Sequence, residues 1–150
     1  MSVSIVIASP FEADKVADVF LSSRQSMTYL PNVHTDDETR HYITSLVSSG
    51  KIHVLKEDNV IAGLMMVEDG YLHHLYVDPK FHNKGYGKML LDKAKELSFD
   101  GLQLWVFEQN KGAIKFYERE GFVLVNKRDE KEQDNEEGLA DRKYTWHSKM

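Results

Sequence analysis

The sequence predicts an α/β fold of the α+β kind: a mixed, mostly antiparallel sheet of about seven strands with helices on both faces. Three features predict it. Apolar residues change period along the chain in the order β-αα-βββ-α-β-α-ββ. Turn signals at Asp58-Asn59 and Glu68-Asp69-Gly70 tie the early strands into antiparallel hairpins. Later strands alternate with helices, which brings at least one parallel neighbour into the sheet. At 150 residues the chain fits a single domain, 1–150, with a core of its own.

The elements follow in order. Val3 to Ala8 alternates and is rich in β-branched residues, so it reads as a strand. Ser9-Pro10 marks a turn or helix entry, and Phe11, Val16, Val19 and Phe20 lie near helical spacing up to Ser23. Thr35 with Glu38 forms a capping box, and Tyr42, Ile43, Leu46 and Val47 make the buried stripe of a second helix. Ser48-Ser49-Gly50 stops it. Lys51 to Glu57, Val60 to Val67 and Tyr71 to Val77 are strands. From Gly85 to Leu97 the period is helical, with Leu90, Leu91, Ala94 and Leu97 on one side. Gly101 to Phe107 is a strand, and Asn110 to Glu120 a helix ended by Gly121 at a natural C′ position. Phe122 to Asn126 and Lys143 to His147 close the sheet. The charged stretch from Lys127 to Arg142 reads as a solvated loop or long hairpin tip.

Composition excludes several function classes. Cysteine is absent, which removes disulfides, thiolate metal sites and a cysteine nucleophile. A formal net charge of −5 speaks against a nucleic-acid binder, which carries a basic face. No apolar run reaches the length of a membrane span, and the N-terminus reads as a strand rather than a leader. A cytoplasmic protein with neither a nucleic-acid nor a membrane partner is the expectation.

The most telling stretch runs from Leu72 to Leu91: a strand, a loop containing Gly85-Tyr86-Gly87, then an amphipathic helix. A glycine-rich turn at a helix start presents unpaired N–H groups and the positive end of the helix dipole, so it suits a phosphate-bearing cofactor. A nucleotide P-loop is excluded. Gly87-Lys88 is followed by Met89 instead of a hydroxyl residue, and the first glycine position holds His82. A dinucleotide fingerprint fits poorly. Its third glycine position is Leu90, and Asp78 to Lys84 separates the strand from Gly85. It stays as an alternative, with Glu108 at the position of a ribose-binding acid.

The remaining reading is an acyl-CoA pyrophosphate site. His82-Asn83-Lys84-Gly85-Tyr86-Gly87, preceded by Leu75-Tyr76-Val77-Asp78-Pro79, resembles the cofactor motif Gln/Arg-x-x-Gly-x-Gly/Ala of the GCN5-related N-acetyltransferases. Leu104 to Asn110 and Ala113 to Phe122 resemble that family's next strand, its asparagine and its Phe-Tyr-x-x-x-Gly-Phe helix end. The resemblance covers roughly residues 52 to 126 and departs at His82, where the family has Gln or Arg. It implies the acyl-CoA N-acyltransferase fold and acetyl-CoA as co-substrate, with no metal. The implied reaction is direct transfer to a primary amine of a small molecule or peptide through a ternary complex.

Backbone N–H groups from Asn83 to Lys88 would carry most of the pyrophosphate binding. Lys84 and Lys88 either add charge or are ordinary surface lysines. The resemblance also implies amide donors from Leu75, Tyr76 and Val77, on a strand that diverges from the next one. It assigns Asn110 to the pantetheine arm and Tyr117 to protonation of the departing thiolate; on the residues alone, Tyr117 also reads as a core aromatic. Strand alternation puts Tyr71, His73, Leu75 and Val77 on one face. His73 is the candidate base, because imidazole titrates near neutrality; Glu108 and ordered water are its rivals. The acceptor site falls to the loop from Ser26 to His34, with Tyr29 and His34, together with Tyr71 and Glu108; a packed connector is the alternative for that loop. A non-catalytic acyl-CoA sensor on the same fold, and a homodimer through exposed C-terminal strand edges, stay open.

Overall fold

The computed structural model describes residues 2–27, 34–129 and 139–148. In chain order the elements are β1 (Val3–Ile7), α1 (Ala13–Gln25), α2 (Asp36–Ser48), β2 (His53–Glu57), β3 (Val60–Glu68), β4 (Tyr71–Val77), α3 (Tyr86–Glu96), β5 (Leu102–Phe107), α4 (Lys111–Arg119), β6 (Val123–Arg128) and β7 (Asp141–Trp146). Short 3-10 turns lie at Pro10–Glu12 and Pro79–Phe81. The seven-stranded sheet has the order β1-β2-β3-β4-β5-β7-β6. Its strand pairs are antiparallel except β4 with β5, which is parallel. The expected architecture is the observed one.

Strand alternation feeds two cores, one on each face of the sheet. Val54, Leu64 and Met66 join Val16, Phe20, Ile43 and Val47 beneath α1 and α2. Leu55 and Met65 turn the other way and join Leu72, Leu90, Leu91, Leu104 and Tyr144 beneath α3 and α4. Each fully buried aliphatic side chain here contributes about 1.5–3 kcal/mol through removal from water. Between α3 and the sheet the packing is close. A Cβ on Gly63 would lie 2.9 Å from the Tyr76 carbonyl oxygen and 3.0 Å from Leu90 Cδ1, so only a glycine lets α3 and β4 sit as they do.

Three expectations are corrected. Phe11 is 96% exposed, because it lies in the 3-10 turn and the buried stripe of α1 begins after it, at Ala13 and Val16. Leu97 is exposed: it is the C-cap of α3, and the buried stripe of that helix ends one turn earlier, at Ala94. The charged stretch is not all loop. β6 runs on to Arg128 and β7 starts at Asp141, and those two residues form a twofold ion pair at 3.0 and 2.7 Å.

Candidate active site

The site is organised by a parting of strands. β4 and β5 register at a single pair, Tyr71 with Gln103, where the Gln103 N–H donates to the Gly70 carbonyl at 2.9 Å. Beyond it the strands separate. At the far end of β4 the Asp78 N–H donates to Ala62 O on β3 at 2.8 Å. Successive strand residues turn their amides to opposite edges, so Val77 and Leu75 direct theirs into the gap. The side chains of Leu75 and Val77 rest on the α3/α4 core, and Tyr76 lies on the α1/α2 core.

Two clefts open at this gap. One, of about 260 Å³, is lined by Leu75, Val77, His82, Asn83, Gly85, Tyr86 and Gly87 together with Phe116 of α4. A deeper one, of about 520 Å³, is lined by Ser23, Ser26 and Met27 at the end of α1, by Leu75–Val77, and by Gln109–Gly112. They share Leu75, Val77, His82 and Gly112, so they are continuous past the end of β4.

The shallower cleft is the anion turn. Asn83 and Gly85 adopt left-handed φ of +66° and +78°, which turns successive N–H groups to one side as a nest does. Gly85 is the N-cap of α3 and supplies no capping side chain. The helical ladder starts with Met89 N–H bonded to Gly85 O, so the amides of Tyr86, Gly87 and Lys88 form the unpaired first turn. A Cβ on Gly87 would meet only Phe116, at 3.8 Å. The space above that turn is therefore available to a ligand, and a pyrophosphate fits it by charge and by room.

Several side chains expected at the cofactor have other partners. Lys84 bonds Glu57 at 2.8 Å. Lys88 bonds Asp92 at 3.0 Å and Glu120 at 3.3 Å. Tyr86 is buried and its hydroxyl donates to Glu57. That bond pushes the Tyr86 phenol up to about 12, and the bonds from Lys84 and Tyr86 hold the Glu57 carboxyl below its usual range. The lysines thus fasten the glycine turn to β2 and α3 to the end of α4, and the anion turn relies on its backbone. His82 lines both clefts, and its Nε2 meets the Val77 carbonyl at 3.0 Å.

Across the gap, Asn110 lines the deep cleft and caps α4, its Oδ1 accepting from Ala113 N–H at 3.1 Å. Tyr117 is buried two turns on, with its ring against Phe116 and Phe122. Burial pushes its phenol pKa up, with nearby Tyr76 adding to the shift. Burial thus favours the neutral phenol, and Tyr117 itself lines neither cleft, although its neighbour Phe116 lines the smaller one.

The face assignment for His73 is corrected. The register shifts between Met66↔His74 and Val67↔Leu72, so His73 is the extra residue of a β-bulge. The bulge inverts the alternation: Leu72, not His73, shares the core with Leu75. His73 is exposed and its ring lies 4.7 Å from that of Tyr71. Tyr71 is half-buried, and burial raises its phenol pKa while Arg128 and Asp141 act on it electrostatically. Neither residue lines either of these two clefts. Glu108 accepts from Arg142 Nε at 3.0 Å, and His34 is exposed before the Thr35 cap of α2. Neither lines a cleft. Tyr29 lies outside the described residues.

Two residues were missed. His74 is tucked under α1 and α2, packed edge-on to Phe20 and bonded through Nε2 to the Tyr42 hydroxyl at 2.9 Å. Burial lowers its pKa to about 4, with His73 and Arg24 adding. Ser23 reaches the end of β4, and its Oγ donates to the Val77 carbonyl at 3.2 Å. In the sequence it sits in the polar run Ser22-Ser23-Arg24-Gln25-Ser26, which reads as a solvated helix end and gave no sign of this. No cluster of metal-binding side chains occurs among the described residues.

A strand parted from its parallel neighbour beside an uncapped glycine turn leaves two sets of unpaired amides along one opening, as an anionic ligand with an extended arm requires. Residues 17–122 match the model of the Acetyltransferase (GNAT) family; the chain belongs to that family. It is similar to an uncharacterised N-acetyltransferase of Methanocaldococcus jannaschii, 40% identical over 68 residues, covering 43% of this chain and 30% of the relative. It is also similar to a peptidyl-lysine N-acetyltransferase of Salmonella typhimurium, 35% identical over 65 residues, 43% of this chain and 44% of the relative. The matches thus span less than half of either relative. Among solved structures, the PaiA N-acetyltransferase of Thermoplasma acidophilum in complex with coenzyme A shares the fold, with TM-score 0.70 and 18% identity over 99% of this chain and 100% of that one. Among the described residues no helix is long and apolar enough to cross a membrane.

Proposed function

We propose that this chain is a single-domain acetyltransferase that moves the acetyl group of acetyl-CoA directly to a primary amine, within a ternary complex. One observation carries the reading: the uncapped first turn of α3 opens into a cleft that continues past the amides of β4 to Asn110 at the start of α4. That path suits a long ligand with a diphosphate at one end and a thioester at the other. Acetyl-CoA is also favoured by the coenzyme A in the Thermoplasma structure.

In this reading the amides of Asn83 to Lys88 hold the pyrophosphate. The amides of Leu75 and Val77 hold the thioester carbonyl and stabilise charge that develops on its oxygen. A neutral amine attacks the carbonyl carbon, the C–S bond breaks, and Tyr117 gives its proton to the leaving sulfur. His74 is unsuited to take the amine's proton, since burial and Tyr42 occupy it. His73, Glu108 and water remain the base candidates, and the pH–rate profile of His73→Ala tests the first: an unmoved acidic limb points to water or Glu108. A peptide lysine is the acceptor class suggested by the Salmonella relative.

The test is thermal unfolding with acetyl-CoA, CoA, NAD or ATP, followed by an amine and lysine-peptide panel read by CoA release. At a hundred times its dissociation constant a ligand adds about 2.7 kcal/mol of stability. Stabilisation by NAD alone would overturn the reading. Binding of acetyl-CoA with no turnover on any amine would favour a sensor.

A further inference from the structure

The Val77 carbonyl ends β4 and has lost its strand partner. It turns toward the gap, where β5 has already parted. Two side chains occupy the place of that partner. Ser23 Oγ donates to it from α1 at 3.2 Å, and His82 Nε2 donates from the loop before the glycine turn at 3.0 Å. Ser23 is 4% exposed, and it lines the deep cleft together with Val77 and His82. A carbonyl stripped of its donors at a partly buried site is costly. The strand end has two ways to avoid that cost without these donors: moving toward β5, or fraying into water.

We infer that Ser23 and His82 are positioning residues that hold β4 parted from β5 by occupying the Val77 carbonyl. Neither donor belongs to the sheet. One fixes the strand end to α1, and the other fixes it to the anion turn. His82 also makes the two clefts move together, because the loop leading to Gly85 is tied to the strand whose amides face the gap. The histidine at the first motif position thus acts on the strand, whatever it adds at the phosphates. The consequence for ligand binding rests on the acetyltransferase reading; the consequence for the strand does not.

The experiment uses the full chain as wild type, Ser23→Ala, His82→Leu, the double variant, and His82→Gln, whose amide N–H can replace the imidazole donor. Amide hydrogen exchange without ligand is read at Asp78 and across the sheet. The double variant is expected to exchange at Asp78 at least tenfold faster, with core amides near Val16 and Leu64 unchanged, and His82→Gln to stay close to wild type. If the double variant does not fold, the two single variants carry the comparison with smaller accelerations. Unchanged exchange at Asp78, or equal acceleration throughout the sheet, overturns the proposal. CoA titration calorimetry is run beside it, with a Kd at least tenfold weaker expected in the double variant. A wild type that takes no CoA would defeat the acetyltransferase reading, and the exchange result would still decide this one. Unchanged CoA affinity alongside faster exchange would overturn the link to binding.

Discussion

Two strand-to-helix junctions flank the same gap and end differently. Before α4, Asn110 folds its own side chain onto Ala113 N–H and satisfies the helix start internally. Before α3, Gly85 leaves the first turn without any side-chain cap. α2 sides with α4, since Thr35 and Glu38 close a capping box. With glycine as the N-cap the helix start forgoes only a few tenths of a kcal/mol, a small loss that leaves the acceptor's place free for a ligand. The contrast separates a junction built to support from one built to receive.

The largest effect should come from closing the receiving junction. Gly87→Glu puts a carboxylate above the α3 first turn, where a Cβ meets nothing nearer than Phe116 at 3.8 Å. Like charges brought together cost several kcal/mol, so CoA affinity should fall about 100-fold or more while the melting temperature holds. Calorimetry and thermal unfolding on one sample check both halves. Next is Tyr117→Phe, on the helix that the supporting junction starts. Turnover should drop by about 100-fold with CoA affinity spared, as loss of a general acid requires. Unchanged turnover would leave Tyr117 as a packing residue.

The receiving junction hangs on β4, and acid should loosen that strand through His74. Its folded pKa is about 4, below the ordinary 6.5. Between those values the unfolded chain binds the proton and the folded chain does not. Stability contributed by the neutral imidazole is therefore complete above pH 6.5 and is lost as pH falls toward 4, about 3 kcal/mol in all. His74→Gln should flatten that acid limb in urea unfolding curves followed by pH. The smallest effect belongs to the supporting junction. Asn110→Ala should cost about 1 kcal/mol of stability and weaken CoA less than tenfold. A larger loss of affinity than of stability would show that Asn110 also receives.

Much of this was legible in the sequence because it is local. The Thr35–Glu38 box, the hairpin at Asp58-Asn59 and the change of period after Val77 all depend on neighbours within a few residues. The glycine turn was legible for the same reason. What was not legible is set by distant partners or by a slip in phase. Lys84 finds Glu57 27 residues back, and Ser23 finds Val77 54 residues on; neither pairing leaves a local pattern. One inserted residue at His73 inverted the alternation and moved Leu72 to the face assigned to His73. Alternation has no way to announce a bulge.

Gly63 touches no ligand in any reading of the site, yet it acts as a gauge block. With 2.9 Å to the Tyr76 carbonyl and 3.0 Å to Leu90, it sets the clearance between the sheet and the helix that carries the anion turn. Enlarging it by one methyl would displace α3 or the end of β4, and either shift would misalign two halves of a cleft that a single rigid-ended molecule has to span. In this fold the tolerance for the ligand is machined at a residue on the opposite side of the strand from the gap.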